Sequence, residues 1–183
     1  SKIFVAGKDS TGTVWDINGK LLLKLKGHNH SVSSIFYNDK KSTILTGAYD
    51  NIAILWDMKG NILSKFKGHT NGVINITQNS NLIGTASRDK TGKVWDRNGN
   101  LKFTLIGHTK QLNSIEFIPE KKWIITSSWD ASVKIWNYKG ELLKTLFSHE
   151  SGIRTVAIST NKKMIIQQAI PMDRPSTFII EVA

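Results

Sequence analysis

The sequence predicts an all-β chain built from repeated four-stranded units, and three observations carry that reading. Gly-His occurs at residues 27–28, 68–69 and 107–108, with Ser-His at 148–149, in steps of 41, 39 and 41 residues. Tryptophan recurs in phase at Trp15, Trp56, Trp95 and Trp136, followed by Asp16, Asp57, Asp96 and Asn137. Between these marks lie short runs of β-branched and aromatic residues, and no segment sustains the period of about 3.6 that a helix needs.

With the strands of a unit lettered a to d, the elements follow in order. Residues 1–26 hold b, c and d, beginning in the apolar run KIFVAG. Full units occupy 27–67, 68–106 and 107–147; the first reads SVSSIFY, TILTGA, IAILWD and ILSKFKG, the third QLNSIEF, WIITSS, SVKIWN and LLKTLF. A last unit, 148–183, supplies a, b and c without an outer strand, which makes 18 strands in all. Asn18-Gly19, Lys59-Gly60, Asn98-Gly99 and Lys139-Gly140 each follow the Trp strand closely, where a tight hairpin needs a residue tolerant of positive φ. Pro119, Pro171 and Pro175 all fall between strand runs, where a missing N–H costs no ladder bond.

A period near 40 with Gly-His and Trp-Asp marks resembles the WD-repeat β-propeller family. The resemblance covers nearly the whole chain. It implies about five blades, the first and last incomplete. WD-repeat propellers commonly open on a d strand and end on a c strand, and the opening b strand here departs from that pattern. The chain is therefore expected to form the C-terminal five blades of a larger, seven-bladed ring. Further residues, another chain or an unusual closure would cover the two open ends, which otherwise expose apolar faces and strand edges. The absence of an initiator Met agrees with a piece of something longer.

Composition narrows the classes. The chain has 183 residues, 39% of them apolar, enough for a sizeable core. Cysteine is absent, which excludes a disulfide framework, a thiolate metal site and a cysteine nucleophile. No apolar stretch approaches the roughly 20 residues of a membrane span, and an intracellular setting, cytoplasmic or nuclear, is expected. Net charge is +11, from 25 Lys plus Arg against 14 Asp plus Glu, but only Arg88, Arg97, Arg154 and Arg174 are arginines. Nucleic-acid sites lean on Arg for bidentate contacts. A scattered lysine surface more often serves solubility, so charge alone names no partner.

The recurring Thr, His and Asp look like hydrolase machinery. In the family such residues form a buried hydrogen-bond relay with the strand-c Trp. The matching sets are His28, Thr46, Asp50 and Trp56; His69, Thr85, Asp89 and Trp95; and His108, Thr126, Asp130 and Trp136. Indole donates only, a carboxylate accepts only, and Thr and His do both, so each set can satisfy itself. A catalytic triad would need one set opened to substrate beside an oxyanion hole; three near-copies argue for structure, and no catalytic residue is assigned. In the first unit Val5 replaces the hydroxyl. In the last, His149 has no Trp partner, Asp173 is a weak turn-Asp candidate, and a longer loop is expected at 169–176. His28 and His30 form an H-x-H pair without a third ligand, so neither metal nor cofactor is expected. No phosphate-binding or dinucleotide motif appears.

Function then falls to the faces of the blades. The resemblance implies partner contacts on the face bearing the d–a and b–c turns, at the residue before the turn Asp and near the start of strand a. The first class is Lys8, Tyr49, Arg88 and Trp129; the second includes Ser31, Ser33, Gly72, Ile74, Gln111, Asn113, Gly152 and Arg154. Aromatics and Arg dominate interface hot spots. The competing readings are packing of Trp129 on a neighbouring loop and plain solvation of the charges. Lys24, Lys26, Lys65, Lys67, Lys102 and Lys144 sit on the outer strands, where charge protects an edge. The expectation is a non-catalytic protein-interaction scaffold that grips a peptide or loop of acidic or phosphorylated character, as the regulatory or sensor part of a larger protein or complex. The alternative is a basic propeller that binds nucleic acid or an anionic surface.

Overall fold

A computed structural model of the chain describes residues 1–147, 152–158, 164–169 and 177–181, with side chains through residue 146 and at 152 and 153. The strands in chain order are Lys2–Ala6 (β1), Thr11–Asp16 (β2), Leu21–Lys26 (β3), Val32–Asn38 (β4), Thr43–Ala48 (β5), Ile52–Asp57 (β6), Ile62–Lys67 (β7), Val73–Gln78 (β8) and Leu82–Ser87 (β9). Then come Gly92–Asp96 (β10), Leu101–Leu105 (β11), Leu112–Ile118 (β12), Trp123–Ser128 (β13), Ser132–Asn137 (β14), Leu142–Phe147 (β15), Ile153–Ile158 (β16), Met164–Ala169 (β17) and Thr177–Glu181 (β18). They form antiparallel meanders: β1-β2-β3, β4-β5-β6-β7, β8-β9-β10-β11, β12-β13-β14-β15 and β16-β17-β18. The all-β, bladed architecture expected from the repeat is what the chain adopts.

One turn of 3-10 helix, Asp39–Lys41, was not foreseen; the Asn38 side chain accepts from Lys41 N and caps it. Among the described residues no helix is long and apolar enough to cross a membrane.

Successive sheets pack face to face through β4, β8, β12 and β16, with β1 against β4. The core is therefore divided into layers between blades. Trp56 joins Val14 and Leu25 of the sheet before it, and Trp95 likewise joins Leu45, Leu55 and Phe66. Trp136 joins Val94 and Leu105. Each of these indoles is buried against its predecessor, and losing one would cost about 3–5 kcal/mol.

Two bulges recur in each four-stranded sheet. One lies at the Trp, as between Leu55 and Trp56; the other lies at the start of the inner strand, as between Val32 and Ser34. A bulge re-aims one side chain and sharpens the local twist. The second bulge sets residues 33, 74 and 113 apart from the regular ladder.

Candidate functional site

The relay is built as the residue types require. His28 Nδ1 donates to Asp50 Oδ2 at 2.9 Å, and His28 Nε2 lies 2.8 Å from Thr46 Oγ1. Trp56 Nε1 donates to the same hydroxyl at 2.8 Å. Because the carboxylate only accepts, the histidine proton sits on Nδ1, and Nε2 accepts from Thr46. His69 meets Asp89 at 2.6 Å and Thr85 at 2.7 Å, with Trp95 at 3.0 Å from that hydroxyl. His108 meets Asp130 and Thr126 at 2.8 Å each, and Trp136 donates to Thr126 at 2.9 Å.

Electrostatics follow burial. Desolvation holds the His28 and His108 imidazoles below their usual range despite the neighbouring Asp50 and Asp130, so both rings stay neutral. Burial pushes the Asp89 carboxyl up, but hydrogen bonds from His69 and Thr91 outweigh it and hold it well below the ordinary carboxylate range. Asp130 is lowered in the same way, with burial opposed by Ser132, Thr109 N–H and His108. All three histidine side chains are only 1% exposed. A substrate cannot reach the Thr46, Thr85 or Thr126 hydroxyls while these sets are closed. Among the described residues no three His, Asp or Glu side chains converge on a possible metal position.

The Gly-His glycines hold the relay's tryptophans from above. A Cβ on Gly27 would stand 2.8 Å from the Trp56 ring, and one on Gly68 would stand 3.1 Å from Trp95. The first sheet departs from the pattern as the Val5 substitution predicts. Trp15 Nε1 donates instead to Thr13 at 2.8 Å, and Asp9 takes Thr11 Oγ1 at 2.7 Å and Lys24 at 3.1 Å. His149, Asp173 and the loop assigned to 169–176 lie outside the described residues.

The b–c turns place three of the proposed contact residues alike. The backbone N–H of Tyr49 donates to Ser31 O, that of Arg88 to Gly72 O, and that of Trp129 to Gln111 O, each at 3.0 Å. One repeated bond therefore sets them at equivalent points on neighbouring sheets. Lys8 is exposed in the corresponding turn of the first sheet, where its carbonyl accepts from Ser31 Oγ at 3.1 Å. Trp129 is 46% exposed, and its indole N–H donates to Asn113 Oδ1 at 2.8 Å. Asn113 Nδ2 in turn donates to Ile153 O at 2.6 Å. Arg88, Lys90, Lys110, Gln111 and Trp129 line a cavity of about 580 Å³.

The description "WD domain, G-beta repeat" matches the chain three times, over residues 19–57, 60–96 and 99–137. The chain belongs to the WD-repeat family. Each matched stretch starts at or just before an outer strand and ends on the Trp strand of the next sheet, so the family unit is staggered against the sheet and ties two blades together. A search of the curated proteins finds no match to the chain. WD repeats generally act as scaffolds for protein–protein interaction.

Within this WD-repeat chain the sequence reading missed two devices. The first belongs to the Asp of Trp-Asp. Asp57 Oδ1 accepts from Lys59 N and Asn61 N at 2.8 Å each, and Asn61 Nδ2 donates to Asp57 Oδ2 at 2.8 Å. Asp96 with Asn100 repeats this, and Asn137 with Glu141 exchanges the two groups, the amide now standing first and the carboxylate accepting from four places on. The turn glycines beside them, Gly60, Gly99 and Gly140, have φ of +85 to +94°. A polar residue four places after each Trp-Asp partner was the available signal.

The second device is the bulge residue as a bridge between blades. Ser33 Oγ donates to Val73 O at 2.5 Å, as Asn113 does to Ile153 O. Asn113 is thus a positioning residue for Trp129, because both ends of its amide are engaged. Ile74, half-buried at the same bulge, has no polar atom to offer. The Arg154 side chain lies outside the described residues; its backbone belongs to β16.

Proposed function

We propose that the chain is a non-catalytic interaction scaffold that grips a partner peptide or loop on the face carrying Tyr49, Arg88 and Trp129. The observation that carries the reading is the shared backbone bond, which puts an aromatic, a cation and an aromatic at one equivalent position on three consecutive sheets. Trp129 offers an exposed ring whose N–H is already satisfied, so burying the ring strands no polar atom. Arg88 is exposed, and with Lys90 and Lys110 it makes the adjoining cavity cationic. A guest with an acidic or phosphorylated side chain between apolar ones suits that arrangement, because a guanidinium binds carboxylate or phosphate in bidentate fashion.

An array of acidic and phosphorylated peptides probed with the chain tests this. Trp129→Ala should weaken captured peptides by about 2 kcal/mol or more, while the joint loss of Lys24 and Lys65 on the outer strands should change little. Binding that depends on those lysines and ignores Trp129 would overturn the face assignment. Binding to duplex DNA or anionic vesicles that collapses between low and moderate salt would favour the basic-surface reading, which rests on the +11 charge.

A further inference from the structure

The outer hairpins of the sheets share a character that the face around Trp129 lacks. Among the described residues twelve large apolar side chains are exposed, and eight of them lie in the β2-β3, β6-β7, β10-β11 and β14-β15 hairpins. Leu21-Leu22, Ile62-Leu63 and Leu142-Leu143 open β3, β7 and β15 at 41–51% exposure, and Leu101 opens β11. A contiguous apolar surface of this kind marks a protein or membrane contact.

The four hairpins form one continuous rim. A Cβ on Gly60 would stand 3.1 Å from Leu23, one on Gly99 3.0 Å from Lys65 O, and one on Gly140 2.8 Å from the Phe103 ring. Each turn therefore rests on the outer strand of the sheet before it. Ser64 Oγ adds a bond to Arg97 O at 2.7 Å. The turn after β6 and the turn before it lie at opposite ends of that strand, and the other sheets repeat this. The rim is thus at the far end of the sheets from Tyr49, Arg88 and Trp129.

Charge concentrates there as well. Residues 16–26, 57–67, 96–105 and 137–146 hold ten Lys and Arg against four Asp and Glu, which accounts for six of the eleven net positive charges. Three of those acids, Asp16, Asp57 and Asp96, are turned back onto N–H groups of their own turns. Side chains alternate along a strand, so Leu22 shares a face with Lys24 and Lys26, and Leu63 with Lys65 and Lys67. The first lysine stands roughly 7 Å behind the leucine, within the depth of about 5–10 Å to which an interfacial apolar face sinks.

We propose that this rim docks on an anionic lipid surface, with the leucines entering between the headgroups and the lysines facing the lipid anions. Near-copies on four sheets suit a partner that is itself laterally uniform, and a bilayer takes up separate aliphatic side chains without matching pockets. A second copy of the chain would bring the same excess of lysine against this one, and like charges oppose that pairing. Docking at the rim leaves Tyr49, Arg88 and Trp129 turned away from the lipid, so membrane and peptide can be held at once.

Flotation of the 183-residue chain with phosphatidylcholine vesicles, with and without phosphatidylserine, tests this. The chain should float with the anionic vesicles and keep part of that binding at moderate salt, because inserted leucines are not screened. Joint replacement Leu22→Gln, Leu63→Gln and Leu143→Gln, all at exposed positions, should leave the thermal melt and Trp129-dependent peptide capture unchanged and weaken vesicle binding more than about tenfold. Lys65→Gln with Lys144→Gln should weaken it at least about tenfold at low salt. The chain has no cysteine, so a polarity-sensitive dye on Leu63→Cys reports one place. Its emission should shift to the blue on anionic vesicles, whereas the same dye on Thr109→Cys, at the other end of the sheets, should not shift. No flotation, flotation that ignores the three leucines, or complete loss at moderate salt would overturn the proposal. Self-association that the leucine replacements abolish would overturn it too, by making the rim a contact between copies. Peptide capture reads the other face, so either reading can fail without the other.

Discussion

The guanidinium carbon of Arg88 lies 4.6 Å from the centre of the Tyr49 ring, and Arg88 Nη2 donates to the Tyr49 hydroxyl at 3.4 Å. Two residues that the repeat places on neighbouring blades thus act as one unit. Tyr49 also meets the His30 ring edge-on, with centroids 5.8 Å apart, so the pair is braced from both sides. A guanidinium carries five N–H donors, and a single bond to Tyr49 leaves it able to engage an anion.

A double-mutant cycle measures that coupling. Arg88→Ala and Tyr49→Phe remove the cation and the hydroxyl separately, and Tyr49→Ala removes the ring. In thermal melts Arg88 and the Tyr49 ring should couple by about 0.5–1 kcal/mol, the range of a surface cation–π contact. Purely additive losses would mean that the stacking carries no energy.

The relay should fail blade by blade. Asp89→Ala leaves the buried His69 Nδ1–H without its acceptor and also takes the acceptor from the exposed Thr70 N–H, which should cost about 1–3 kcal/mol. Asp50→Ala and Asp130→Ala should behave alike. Asp9→Ala should cost less, because Asp9 is exposed and serves only Thr11 and Lys24. Melts that ranked Asp9→Ala as the most damaging would contradict the assignment.

Strand order, sheet grouping and the relay residues were legible because each rests on a repeat: a side chain that recurs in phase is under the same physical demand in every blade. What was not legible lies where the demand is met differently in each copy. Ser33 and Asn113 bridge to the next blade with unlike side chains, and Ile74 does not bridge at all, so no repeated letter announces the site. Trp15 exchanges its partner for Thr13 on its own strand, which only the missing hydroxyl at Val5 hinted at. A cavity lined by Phe36, Thr77 and Glu116 is written in single, unrepeated residues, and nothing in one sequence marks those as neighbours.

Acid and base should act on the fold through opposed groups. His28 and His108 are held below their usual range by burial, so the unfolded chain binds protons that the folded chain refuses, and stability falls as pH drops below about 6.5. The lowered Asp89 and Asp130 add a further loss once the pH falls below about 4. Glu116, raised to about 7 by burial, has the reverse sign: the folded chain holds a proton that the unfolded chain releases, so stability falls as pH rises through that window. Glu116→Gln should remove this loss, up to about 3 kcal/mol, and leave a steeper decline on the acid side. Denaturant melts across pH 5–8 that show the same slope in both proteins would refute it.

The unused bridge at Ile74 gives the sharpest test. The inner-strand bulges of β4, β8 and β12 are equivalent, and at two of them a polar side chain reaches the first residue of the next inner strand: Ser33 to Val73 O and Asn113 to Ile153 O. By the same register a polar side chain at residue 74 is expected to reach the carbonyl of Leu112, the first residue of β12. Ile74→Asn should therefore donate to Leu112 O and gain about 0.5–1.5 kcal/mol from the bond, offsetting much of the apolar contact that the half-buried isoleucine gives up. Ile74→Ala forms no bond and should show only the loss. If Ile74 also anchors a partner on this face, both variants should weaken that partner while differing in stability. Asparagine less stable than alanine would mean that the bridge cannot form there, and that the third blade is joined to the fourth by Asn75 Oδ1 accepting from Ile115 N at 3.2 Å instead.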